Sequence, residues 1–352
     1  MTDARIDPDT ALELLERASL PELAWKSEQA CEAKHPDRVR TYVIDRNINY
    51  TNICISGCAF CAFYRPPGHP EGYVLTTQQV LEKVREAVDL GATQILMQGG
   101  LHPNLPIDYF ESLFRAVKES FPVQVHSLSA PEVVHIGRVS GLGIEDTLKR
   151  LHAAGLDSLP GGGAELLVDR IRSRLSPRKC TAQQWLEVMR AVSRIGMRAT
   201  ATMVFGMGEA LADRIWHLQR VRDLQDETGV FTAFIAWPFQ PGNTVLGGQP
   251  AGAHDYLRTL AVSRIFLDNI DNVQASWVTQ GRQVAQLALR FGANDVGSTM
   301  IEENVVAAAG VSHSMDEASL VTMIHEAGFD AAQRTTLYER VRLHPRRPTA
   351  YC

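Results

Sequence analysis

The reading of the fold turns on Thr181-Ala182-Gln183-Gln184-Trp185-Leu186-Glu187-Val188-Met189-Arg190-Ala191-Val192-Ser193-Arg194-Ile195-Gly196-Met197-Arg198-Ala199-Thr200-Ala201-Thr202-Met203-Val204-Phe205. From Thr181 to Ile195 it is amphipathic with a helical period. Gly196 then suits the left-handed cap that ends a helix, and Arg198 to Phe205 reads as a strand following a short loop. The same helix, glycine and strand rhythm recurs at Leu90-Gly91, Ala154-Gly155 and Thr228-Gly229.

Working outward, eight strand runs can be placed: 43–50, 94–98, 123–128, 158–160, 198–205, 231–237, 273–277 and 293–297. Amphipathic stretches lie between them at 77–90, 106–120, 144–154, 181–195, 211–228 and 256–268. Eight βα units with short connections predict an α/β protein built as a (β/α)8 TIM-like barrel, with its chemistry at the carboxyl ends of the strands. Residues 1–40 are expected to form a helical N-terminal extension capped at Asp9 or Thr10, and 41–300 the barrel. Residues 301–342 are expected to form a C-terminal helical closure and 343–352 a flexible tail.

Composition narrows the function class. The 352 residues are 45% hydrophobic and 21% charged, ordinary for a globular enzyme. The formal net charge of −5 leaves no basic surplus for a phosphate backbone, so no nucleic-acid partner is expected. Neither a signal-like start nor a long apolar run is present, which predicts a soluble, cytoplasmic chain without a membrane span.

Three of the six cysteines fall within eight residues, in Thr51-Asn52-Ile53-Cys54-Ile55-Ser56-Gly57-Cys58-Ala59-Phe60-Cys61, directly after the first strand. Three thiolates on one short loop can wrap a compact metal centre, with Gly57 letting the backbone turn back. Free thiols and a structural zinc site are the alternatives. Zinc wants a fourth protein ligand, and the nearest, His69, lies beyond Pro66-Pro67-Gly68. A 4Fe–4S cluster with three cysteines leaves one iron open to a small molecule, and the spacing favours it. Cys31, Cys180 and Cys352 stand alone and read as ordinary thiols.

The C-x3-C-x2-C spacing with Phe60 before the last cysteine resembles the signature of the radical S-adenosylmethionine (SAM) superfamily. That resemblance implies a barrel of radical SAM type, with Cys54, Cys58 and Cys61 as ligands of a 4Fe–4S cluster whose open iron binds SAM. It also implies an electron donor such as a flavodoxin or ferredoxin. Phe60, Gln98-Gly99-Gly100, Ser129, Glu132 and Val204 resemble the positions that contact SAM.

Within the superfamily the resemblance covers roughly residues 40–340 and is nearest to the cyclic dehypoxanthine futalosine synthases of menaquinone biosynthesis. It rests on 45–52, 58–65, 156–165, 231–241, 274–281 and 292–304. Aminofutalosine synthases and the deazaflavin synthase radical SAM subunits share the first and last of these. Ala130 and Met207 depart from the expected pattern. The implied substrate is small and nucleoside-like, a ribose carrying a benzoate. The adenosyl radical would take hydrogen from ribose C4′, the sugar radical would add to the ring, and oxidation with deprotonation would finish the product. The general base is expected to be His126, with Asp157, Glu165 and Asp295 behind it, and the benzoate anchor to be Arg46, Arg65 or His126. Gly161-Gly162-Gly163 suggests close backbone approach to SAM or substrate.

Overall fold

The computed structural model describes residues 5–346. Its strands are β1 (Val39–Val43), β2 (Asn47–Ile48), β3 (Gln94–Met97), β4 (Gln124–Ser127), β5 (Ser158–Leu159), β6 (Arg198–Phe205), β7 (Phe231–Pro238), β8 (Asn272–Gln274), β9 (Asp295–Ser298), β10 (Asp330–Arg334) and β11 (Arg340–His344). From β3 to β9 each strand pairs in parallel with the next, and β9 pairs in parallel with β1.

The seam lies at Val39–Ile48. On one side Ile44, Arg46 and Ile48 accept backbone N–H groups from Thr93, Leu96 and Gln98 at 3.3, 3.1 and 3.3 Å. On the other, Val43 and Asp45 accept from Thr299 and Ile301 at 3.0 and 3.2 Å. β1 and β2 are thus one stave, interrupted at Ile44–Arg46, and with β3 to β9 they complete the eight-stave (β/α) ring. The single strand expected over 43–50 begins earlier and is broken. The strand expected over 273–277 stops at Gln274, and Trp277 instead heads the helix Trp277–Ala288.

The N-terminal extension is two helices, Pro8–Arg17 and Leu20–Lys34, which pad the outside of the ring against helices 211–228 and 253–266. The first is capped by Asp7, whose carboxylate accepts Thr10 N–H at 2.7 Å, and not by Asp9 or Thr10. The Arg258 guanidinium donates to the carbonyls of Leu14, Leu15 and Ala18 at the end of that helix.

The segment 301–342 is not wholly helical. Short helices at Val305–Ala308 and Glu317–Glu326 are followed by β10 and β11, and β11 runs to His344, where a flexible tail was expected; 347–352 lie outside the described residues. The reason is a gap in the ring. β3 starts too late to cover the first half of β1, and β10 fills that space in parallel register from Val39↔Asp330 to Tyr42↔Gln333.

β10 delivers Arg334 into the barrel floor. Its guanidinium grips Asp295 through Nε at 2.6 Å and Nη2 at 2.9 Å, Thr41 Oγ1 donates to the same carboxylate, and the Tyr338 ring lies 4.0 Å from the cation. Both charged side chains are shielded from solvent, 6% and 0% exposed. Removing one partner of such a pair strands the other charge. Arg334→Ala should therefore cost about 3–5 kcal/mol, whereas Arg340→Ala, which breaks the exposed pair with Asp37, should cost less than about 1 kcal/mol. Urea unfolding of both variants checks this; equal losses would overturn it.

Candidate active site

The cysteine loop sits at the carboxyl ends of the staves and is fastened from three sides. Cys54 N–H donates to Arg65 O at 2.9 Å, so the loop doubles back on the segment that follows it. Ala59 N–H donates to Leu175 O, and Leu246 N–H to Ala59 O, both at 2.8 Å, joining the loop to the segments after β5 and β7. Gly57 turns the chain at φ 59°. Cys58 is buried and its sulfur lies 3.1 Å from Ser56 Oγ, while Cys54 and Cys61 are partly exposed. Burial pushes the Cys58 and Cys61 thiols above their ordinary range, opposed at Cys58 by the Lys179 ammonium and at Cys61 by the Tyr64 and Phe63 amides and then Lys179.

These residues fit a polynuclear cluster better than a single ion. Among the described residues, no three His, Cys, Asp or Glu side chains converge as one metal ion would require. Three thiols on one loop suit a cluster that takes three cysteines and keeps one position free of protein.

Beside the loop is the turn Gln98-Gly99-Gly100. Its support is Glu132, whose Oε1 accepts Gly99 N–H at 2.9 Å and the Tyr50 hydroxyl at 2.7 Å, while Oε2 accepts from Ser129 Oγ. Burial raises the Glu132 carboxyl, and the Ser129 and Tyr50 hydroxyls and the Gly99 amide oppose it. Gly100 N–H donates to Thr51 O at 2.9 Å. The Gln98 carbonyl is occupied by Asn49 Nδ2 at 3.1 Å. The Gly99 carbonyl accepts no hydrogen bond among the described residues. Val204 N–H donates to Glu165 O at 2.9 Å, and Phe60 lies beneath Lys179, whose Nζ is 5.4 Å from the ring centre.

The four base candidates separate. His126 lies inside the ring with Nδ1 2.7 Å from Ser158 Oγ, and burial, helped by Arg334, lowers it to about 3. Glu165 is near the cysteine loop but neutralised by Lys179 at 2.7 Å and Arg172 at 3.4 Å. Asp157 and Asp295 are not at the mouth. Both stand at the start of their staves, where Asp157 accepts Val125 N–H at 2.7 Å and pairs with Lys118, and Asp295 holds Arg334. Staves of two and four residues gave no pattern to tell start from end.

The benzoate anchors are also engaged, Arg46 by Glu86 and Glu302, Arg65 by Glu71. At Gly161, Gly162 and Gly163 the backbone runs close to protein neighbours: a Cβ would lie 2.6 Å from Thr200 O, 2.5 Å from the end of the Gln98 side chain and 2.3 Å from the Pro131 ring. Sequence reading missed Lys179, Arg172 and the Tyr50 hydroxyl. The dense basic run from Arg170 to Lys179 was the available signal for the first two.

Two outcomes follow. A Cβ at Gly100 would meet Ile53 O at 2.2 Å, a backbone atom that cannot swing away. Gly100→Ala should displace the cysteine loop and lower the iron retained after reconstitution several-fold; unchanged iron would contradict this packing. The unfolded chain protonates His126 near 6.5 while the fold resists until about 3, so the folded state loses stability as pH falls through that window. His126→Gln should flatten that part of the stability–pH curve, read by urea midpoints.

Comparison with known proteins agrees with this geometry. Residues 48–221 match the model of the radical SAM superfamily, and residues 228–346 match the CofH/MqnC C-terminal region. A cyclic dehypoxanthine futalosine synthase from Halalkalibacterium halodurans is 50% identical over 96% of this chain and 92% of its own. One from Streptomyces coelicolor is 44% identical over 97% and 86%. A 5-amino-6-(D-ribitylamino)uracil–L-tyrosine 4-hydroxyphenyl transferase from Methanopyrus kandleri is 38% identical over 96% and 94%. The fold resembles the maturase HydG from Carboxydothermus hydrogenoformans (TM-score 0.77, 15% identity, 95% of this chain and 77% of that one) and methylornithine synthase PylB (0.70, 17%, 93% and 94%). A cysteine triplet docked on a glycine turn at the barrel mouth, in a chain up to half identical to these synthases along nearly its whole length, belongs to the radical SAM superfamily and, within it, to the cyclic dehypoxanthine futalosine synthase family.

Proposed function

We propose that this chain closes dehypoxanthine futalosine into its cyclic form for menaquinone biosynthesis, working in the cytoplasm. The observation that carries the reading is the loop of Cys54, Cys58 and Cys61 held against Gly100 at the mouth of a ring, in a chain 50% and 44% identical to two relatives that carry that activity in their names. When bound, the cluster and SAM supply the adenosyl radical that removes hydrogen from the substrate ribose.

The chain's own residues bind, orient and exclude water. The three thiolates would hold the cluster, and Lys179 with Arg172, two cations sharing the single carboxylate of Glu165, leave net positive charge beside them. The Gly99 carbonyl, which accepts no hydrogen bond among the described residues, would be the acceptor for a ligand ammonium, while Glu132 fixes the turn by taking the Gly99 N–H and the Tyr50 and Ser129 hydroxyls. Phe60 and Val204 supply apolar surface for an adenine.

Ring closure demands that two carbons of one flexible substrate be held in contact, which is positioning work. Rearomatisation then requires loss of a ring proton to a base and of one electron, whose acceptor would be the oxidised cluster left by SAM cleavage. That proton is acidic, so a neutral imidazole held at a low pKa is base enough to take it. His126 fits, since Nδ1 is oriented by Ser158 and it makes no other hydrogen bond among the described residues. No helix among the described residues is long and apolar enough to cross a membrane.

The test is anaerobic incubation of reduced, reconstituted protein with SAM and dehypoxanthine futalosine. The expected outcome is 5′-deoxyadenosine together with a product lighter by two hydrogens, and Cys54→Ala, Cys58→Ala or Cys61→Ala should abolish both. Deoxyadenosine without cyclised product would overturn the substrate.

A further inference from the structure

The segment Asp169-Arg170-Ile171-Arg172-Ser173-Arg174-Leu175-Ser176-Pro177-Arg178-Lys179 carries five cations and one anion in a chain of net charge −5. It forms the helix Asp169–Leu175 and the loop after it, and it lies directly on the cysteine loop. Leu175 O accepts Ala59 N–H at 2.8 Å. Arg178 Nη1 donates to Ile55 O at 3.1 Å, and Arg178 lies 3.9 Å from where a Gly57 Cβ would stand.

Two of the cations are used inside. Lys179 and Arg172 share Glu165. Arg170, Arg174 and Arg178 are exposed. Arg174 and Arg178 donate to carbonyls, of Met207 and Ile55, so among the described residues no carboxylate cancels either charge. Arg170 pairs with Asp213 while its side chain stays 66% exposed. Asp169, the one acid of the segment, accepts Ala182 N–H at 2.9 Å. The outer face is therefore a positive patch on an acidic molecule, one residue layer from the loop that carries the thiols.

We infer that the outer face of Asp169–Lys179 is the docking surface for a small acidic one-electron carrier protein that reduces the cluster held by Cys54, Cys58 and Cys61. The inference rests on the radical SAM reading and adds where the electron enters. Electron transfer needs a short path from carrier to cluster, and this is a face where exposed positive charge and the ligand loop coincide. An acidic partner is steered to this patch on a molecule whose net charge is −5. In the step the carrier is oxidised by one electron and the cluster reduced by one, with no bond made or broken in the chain.

The experiment compares the reconstituted full chain with Arg170→Gln/Arg174→Gln and Arg170→Glu/Arg174→Glu, following the bleaching of the oxidised cluster under anaerobic stopped flow. Reductants are an acidic flavodoxin in its hydroquinone form, a reduced acidic ferredoxin, and dithionite. For the neutral pair the second-order rate with the flavodoxin at low salt should fall roughly tenfold, further for the reversed pair, and converge with the parent rate at high salt. Reduction by dithionite should not change, which also reports an intact fold; a ferredoxin rate that falls in parallel supports the same surface. Unchanged flavodoxin rates, or dithionite rates that fall equally, would overturn the docking surface. Failure of the parent protein to cleave SAM under dithionite would instead sink the radical SAM reading.

Discussion

Everything in this molecule hangs on one stave being bonded from both sides. Val39–Ile48 accepts hydrogen bonds from 93–98 on one flank and exchanges them with 294–301 on the other, and without it the remaining strands would form an open sheet with two raw edges. The cysteine loop is the direct continuation of that stave. Its anchors to Arg65, Leu175 and Leu246 are useful only because the ring fixes where those residues stand. A cluster-binding loop of this length has little rigidity of its own; it borrows it from the barrel.

Buried charge is used differently at the two ends. At the floor, Asp295 and Arg334 are matched to each other and to Thr41, a closed account with nothing left for a ligand. At the mouth, Glu132 spends its carboxylate on an amide and two hydroxyls of the turn, holding a backbone in place without a counter-ion. Glu165 instead holds two cations near sulfur. One residue type thus serves as a brace in one place and a charge setter in another, decided by whether its neighbours are neutral donors or cations.

The repeating unit was readable because helix period, glycine cap and strand agree locally in segments such as Thr181–Phe205. The cysteine triplet was readable because its spacing carries its own chemistry. What was not readable depends on tertiary neighbours. Asp330-Ala331-Ala332-Gln333-Arg334 has no β-branched residue and becomes a strand because β1 presents an unfilled edge to it. Asp157 and Asp295 looked like mouth residues because very short staves hide which end is which. Lys179 was passed over because its meaning comes from Phe60, Cys58 and Glu165, over a hundred positions away in two of the three cases.

The insertion of β10 beside β1 also dictates an order of events during synthesis. The first stave leaves the ribosome early, yet its flanking partners at 294–301 and 330–333 are among the last segments made. The ring therefore cannot close until residues 294–301 are available, and contacts of such long sequence separation form slowly. Through that interval the three thiols sit on an unanchored loop. The loop can take its final place only once Leu175 and Leu246, which hold it, have been made.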